Sequence, residues 1–252
     1  MKYLLILIVL FFTSCGNFQE KVRNTVQSEN AKQIRNDYKE IINLLSLYKE
    51  KLDKRNPQNY SLSLDRLLKE NILQNKNTIH LAIDNSNTLK LYTDYLNHAF
   101  NKEKSIKSRN DYLLIGLYKM FYNAYNMDLE YKMTAFNYNI EDLQKAYKNL
   151  QVLQWKIKFD KNVKDEYLFL TWQNNWQVEL AQKLKNNTLD NISLSQLENI
   201  KSKKESLLDP SNNSFEILTS KMILYMSRSI KRLNVEPENL TIDALLSFIF
   251  II

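Results

Sequence analysis

Glycine occurs twice in this 252-residue chain and proline three times, against usual frequencies of about seven and five per cent. Gly16 lies near the N-terminus, so Gly116 alone serves the rest of the sequence. Tight hairpin turns draw on glycine for their positive-φ positions, and a chain so short of it is poorly suited to sheets. Helices joined by Asn, Ser and Asp need none. The scarcity predicts an all-α fold, and the length is enough to bury a sizeable core.

Helical spacing supports this along most of the chain. Ile34, Tyr38, Ile41, Leu45, Tyr48 and Leu52 alternate at +4 and +3, the seam of a helix lying along another helix. Lys49, Lys51, Lys54 and Arg55 near its end suit the helix dipole, and Pro57 closes it. A second helix starts at Ser61 or Ser63 and carries Leu64, Leu67, Leu68 and Ile72. Thr78 to Ile83 is ambiguous. Asn85 to Asn87 are expected to cap a helix carrying Leu89, Tyr92, Leu96 and Phe100. A loop from Asn101 to Arg109 holds Lys102, Lys104, Lys107 and Arg109.

Asn110 or Asp111 is expected to cap the central helix. From Tyr112 to Tyr125 almost every side chain is apolar or aromatic, save a strip of Lys119, Asn123 and Asn126. A helix apolar nearly all round is surrounded by other helices. Gly116 inside it costs about 1 kcal/mol against alanine, which calls for compensation. One source is close helix approach; the other is a notch that admits a ligand. Tyr118, Tyr122 and Tyr125 share one face, and Trp172 and Trp176 share another. Gly116, Tyr118, Tyr122, Asn123, Trp172 and Trp176 therefore form a candidate aromatic-lined ligand cleft. The plainer reading makes these rings core fillers with their polar tips bonded.

Asn139 and Asp142 resemble a capping box ahead of Ile140, Leu143, Tyr147, Leu150, Leu153 and Ile157. Leu168, Trp172, Trp176, Leu180 and Leu184 recur every four residues. Ser193–Gln196 and Ser195–Glu198 open another helix, Ser214 the next, and Thr241 an apolar terminal segment, Ile242 to Ile252. Eleven residues are too few to span a bilayer. The whole predicts an irregular bundle of about eight helices. A short helical-hairpin solenoid is the alternative: Gly116-Leu117-Tyr118 and Ala124-Tyr125 resemble fragments of the tetratricopeptide consensus, without a second copy.

Catalytic chemistry finds little footing. No glycine-rich phosphate loop or G-x-S-x-G elbow occurs. His80 and Asp84 stand at i, i+4, half of a metal site at most, and His98 borders the apolar stripe of its helix. The single cysteine, Cys15, leaves the remainder without a disulfide or thiolate metal site. The net charge of +7 is dispersed. It suits anionic lipid headgroups or an acidic partner, or is simply a solvated surface.

The N-terminus carries the most specific signal. Lys2 precedes an apolar run from Tyr3 to Phe12, the size and flanks of a secretory leader. Phe12-Thr13-Ser14-Cys15 resembles the lipobox of bacterial lipoprotein precursors, with Phe where Leu is more usual. The resemblance covers the leader alone. It implies a diacylglycerol on the Cys15 sulfur, cleavage before Cys15, and acylation of the new amino group. Gly16 in place of an aspartate leans toward the outer membrane. The expected organisation is a leader over residues 1–14, a lipidated polar tether over 15–31 and a helical domain over 32–252. The expected role is a non-catalytic interaction or scaffolding component of a bacterial envelope, held to the membrane by lipid. It would have a protein partner, no nucleic-acid partner, no metal and no cofactor beyond the lipid. The alternative is a solute-binding lipoprotein using the aromatic cleft.

Overall fold

A computed structural model describes residues 29–56, 59–83, 88–128, 137–171, 179–180, 183, 196–201 and 214–241. Among them the chain is helical, with one two-stranded ribbon. The helices are α1 (Glu29–Arg55), α2 (Leu62–Leu73), α3 (Tyr92–Ala99), α4 (Arg109–Ala124), α5 (Ile140–Phe159), a single turn α6 (Glu198–Lys201) and α7 (Ser214–Lys231). The all-α class holds. The described residues contain six helices of eight residues or more, not eight. The leader with Cys15, the Trp172 and Trp176 stripe, the caps at Ser193 and Ser195 and the terminal apolar segment lie outside the described residues.

The α1 seam behaves as its spacing requires. Ile34, Tyr38, Ile41, Leu45, Tyr48 and Leu52 are each no more than 5 % exposed. At 27 residues the helix is about 40 Å long, enough to run the length of the core. The helix already includes Glu29 to Ala31, and Ala31 is fully buried. Asn30 Nδ2 donates to the Arg232 carbonyl at 3.2 Å, which fastens this end to the end of α7.

α4 is the centre. It packs against α1, α2, α3 and α5, while α7 packs against α1 and α5. Helices α1, α4, α5 and α7 thus close a ring, with α2 and α3 laid on α4 from outside. A solenoid limits each repeat to its neighbours; among the described residues, contact between the first and last long helices closes the bundle instead. Leu113 to Tyr122 are all buried, as a helix without a polar face demands.

Local corrections follow from tertiary contacts. Leu89 does not begin a helix: Leu81 pairs with Leu89 and Ala82 with Thr88 in an antiparallel ribbon. α3 starts at Tyr92, where Asp94 Oδ2 accepts from the Leu91 and Lys90 amides. Neither Asn110 nor Asp111 caps α4. The helix begins at Arg109, after Ser108 at φ 59°. Arg109 is not a loop base, because its buried guanidinium donates to the Ala99, Asn101 and Lys104 carbonyls and closes the loop from within. The cap at Asn139 is as expected: its side chain accepts from the Glu141 amide at 3.0 Å and donates to Asp142. After α7 the chain lies along α5, where Gln144 bonds both the Glu236 carbonyl and the Glu238 amide. No helix among the described residues is long and apolar enough to cross a membrane.

Candidate functional site

Gly116 faces α3. A Cβ there would stand 2.8 Å from Leu96 Cδ2 and 3.1 Å from Tyr95 Cβ. Close helix approach is therefore what the glycine serves, and Leu96 fills the notch that a ligand would need. Tyr118 lies two residues on, about 200° around the helix. Its hydroxyl donates to the Asn71 and Lys76 carbonyls at 3.0 and 2.8 Å, and Tyr122 donates to the Asn75 carbonyl. These rings stitch the end of α2 to α4, and burial pushes the Tyr118 phenol well above its ordinary pKa.

The polar strip closes on the same loop. Lys119, 2 % exposed, donates to Asn77 Oδ1 at 2.6 Å and to the Ile79 carbonyl at 3.0 Å, while Asn77 donates to Asn123. Gly116 is thus packed on α3, and Tyr118, Tyr122 and Asn123 are bonded to the 71–77 segment. Trp172 and Trp176 lie outside the described residues. His80 is exposed, and Asp84 falls outside the described residues. His98 stands edge-on to Tyr112 at 4.5 Å. Burial, then Arg109 and Lys104, hold its pKa below the ordinary value.

A cavity of about 640 Å³ opens instead between α1 and α2. Leu45, Leu68, Ile72 and Leu114 form its apolar floor, and Leu114 comes from the central helix. Leu47, Tyr60 and Leu62 stand at its mouth, 54, 40 and 55 % exposed. Lys49, Asp53, Asp65 and Lys69 form a charged wall.

That wall is a network across three helices. Lys49 Nζ bonds Asp53 one turn on within α1, lies 2.9 Å from Asp65 Oδ1 of α2, and lies 3.6 Å from Asp111 Oδ1 of α4. Lys69 takes the other oxygen of Asp65 at 2.8 Å. Asn110 Nδ2 donates to Asp53 Oδ1 at 3.0 Å, and the Ser61 amide donates to Asp111 Oδ2 at 2.5 Å. One ammonium thereby holds α1, α2 and α4 together at one edge of the cavity.

The charge states follow. Burial acts against the Lys49 ammonium, but Asp53 and Asp65 overcome it and raise its pKa. Burial likewise raises Asp65, but Lys69 and Lys49 overcome it and hold the carboxyl below its ordinary value. Asp111 goes the other way. Burial lifts it to about 6, against the pull of the Ser61 amide and Lys49 and with the push of Asp53 and Asp65.

Hydrolysis would ask for a carboxyl of shifted pKa facing the cavity. Asp111 has the shift, but it is 1 % exposed and does not line the cavity. Asp53 and Asp65 do line it, and each is paired with an ammonium. Among the described residues no group of three His, Cys, Asp or Glu is arranged to hold a metal ion; Lys49 occupies the centre of the acidic cluster. The arrangement suits binding: an apolar trough for side chains beside a wall that orients charge.

In the sequence, Lys49 late in its helix suits the dipole and Asp111 early in its helix suits a cap, and no motif marks Asp53 or Asp65. The two i, i+4 pairs, Lys49–Asp53 and Asp65–Lys69, were readable in the chain; their meeting with Asp111 was not. No protein-family model, curated protein or solved structure matches this chain.

Proposed function

We propose that this chain is a lipid-anchored protein of a bacterial envelope that works by binding, without catalysis, and takes an amphipathic helix of a protein partner into the groove between α1 and α2. The observation that carries the binding half is the groove mouth. Leu47 and Leu62 are each more than half exposed beside a cavity already floored by Leu45, Leu68, Ile72 and Leu114. Large apolar side chains outside a trough are the arrangement that receives a helix by its i, i+3, i+4 and i+7 anchors. The anchoring half rests on the lipobox-like Phe12-Thr13-Ser14-Cys15, with Gly16 favouring the outer membrane.

A solute-binding lipoprotein is the second reading, and the cavity volume supports it by falling in the range of small-ligand sites. The exposed rim favours the helix, since a solute held inside gives Leu47 and Leu62 no partner.

A photoreactive benzophenone side chain placed at Leu47 or Leu62 in growing cells tests the groove, with Leu224 on α7, 55 % exposed, as the comparison position. Discrete protein adducts from the two groove positions and none from position 224 are expected. Equal adducts from all three, or none from any, would contradict the reading.

A further inference from the structure

α5 buries one face and leaves a second apolar surface on the other. Leu143, Ala146, Leu150, Leu153 and Ile157 face the core. Trp155 and Phe159 each follow a core residue by two positions, about 200° around the helix, where a surface helix ordinarily carries charge. They are 39 and 47 % exposed and stack on one another at 5.0 Å and 28°. Val163, just past the end of α5, is 72 % exposed.

This apolar ridge is set among lysines. The Val163 amide donates to the Lys102 carbonyl at 3.3 Å, and Lys102 Nζ pairs with the buried Asp160 at 2.9 Å, so the 101–107 loop is fastened beside it. Over residues 102–107 and 158–166 six lysines face four carboxylates, Glu103, Asp160, Asp165 and Glu166. Lys158 and Lys161 are paired with Glu216 and Asp165. Lys104, Lys107 and Lys164 are exposed and take part in no ion pair among the described residues.

We propose that the end of α5 and these two loops form a membrane-contact surface for a bilayer bearing anionic headgroups. Trp155, Phe159 and Val163 enter the boundary between headgroups and acyl chains, where tryptophan is favoured. Lys104, Lys107 and Lys164 meet the phosphates. Charge complementarity selects this occupant: two exposed aromatics and a valine, with unpaired ammonium groups on the two loops joined at Val163, match a layer that is apolar below and negative above. The surface is separate from the groove, and its test below omits the lipid on Cys15, so failure of the anchoring reading leaves it standing.

Cys15 is the sole cysteine. The full chain carrying Cys15→Ser and Val163→Cys therefore takes a single environment-sensitive fluorophore at position 163. A matched chain with Cys15→Ser and Leu73→Cys places it on α2, at a residue 84 % exposed. Vesicles of phosphatidylethanolamine with phosphatidylglycerol should shift the label at 163 to the blue and brighten it, leaving the label at 73 unchanged. Vesicles of phosphatidylcholine alone should do neither. Lys104→Glu, Lys107→Glu and Lys164→Glu together should weaken the response at 163 about tenfold or more, and high salt should do the same. All the substituted positions apart from Cys15 are exposed, so unchanged helical circular dichroism separates loss of contact from loss of fold. Equal responses at 163 and 73, no response at 163, or the same response to phosphatidylcholine would overturn the proposal.

Discussion

Lys49 Nζ stands 3.6 Å from Asp111 Oδ1, near enough for strong attraction and too far for a hydrogen bond. The ammonium is already bonded to Asp53 and lies 2.9 Å from Asp65. Asp111 thus receives the field of the lysine without its proton, and Oδ1 has no hydrogen-bond partner among the described residues. This inequality among three carboxylates around one cation makes the network sensitive to pH.

Asp111 titrates at about 6 when folded, against an ordinary 3.8. The folded chain therefore binds this proton more tightly than the unfolded chain does. The corresponding stability is fully present below about pH 4 and is lost as pH rises through about 6. At about 1.4 kcal/mol per pH unit, over the rise from 3.8 to about 6, the loss is on the order of 3 kcal/mol. Asp111→Asn keeps an acceptor for the Ser61 amide and carries no charge. Urea unfolding from pH 4 to 7 should show the wild type losing this stability relative to the variant. Asp37, also raised by burial, acts in the same direction in both proteins, so the difference belongs to Asp111. Parallel curves would exclude it.

Lys49→Met removes the cation and leaves its packing. Asp53 and Asp111 are then left without the charge that holds them, while Asp65 keeps Lys69, which should cost about 3–5 kcal/mol at pH 7. The cost should shrink at pH 5, where Asp111 takes up its proton. A penalty independent of pH would mean that Lys49 acts through packing alone.

Gly116→Ala sets two effects against each other. Alanine favours the helix by about 1 kcal/mol, while its methyl would meet Leu96 Cδ2 at 2.8 Å and Tyr95 Cβ at 3.1 Å. Leu96 and Tyr95 are fully buried, so the overpacking of about 1–3 kcal/mol should prevail. The variant should be about 1 kcal/mol less stable in urea, and Gly116→Val substantially less stable than that. A stabilised alanine variant would show that α3 gives way.

Much of the bundle could be read from spacing. The α1 seam and the absence of a polar face on α4 are local patterns with one packing solution, and the core follows them residue by residue. Gly116 pointed to close approach and left its partner unnamed. The candidate site was less legible. Lys49, Asp65 and Asp111 are separated by 16 and 46 positions in the chain, and only the crossing of α1, α2 and α4 joins them. Their helical context also misled. A lysine late in a helix reads as dipole compensation, and an aspartate at a helix start reads as a cap. Arg109 misleads for the same reason: a base in a polar stretch reads as solvated, whereas here the last carbonyl of α3 and two of the loop surround it.

The central claim is that a helical body with an open groove is tethered through a lipid on Cys15. The most direct measurement is the intact mass of the protein extracted with detergent from bacterial membranes. The account predicts a chain that begins at Cys15 and carries the added mass of a diacylglyceryl group, with both changes abolished by Cys15→Ser. A chain that retains residues 1–14 with an unmodified thiol would contradict it.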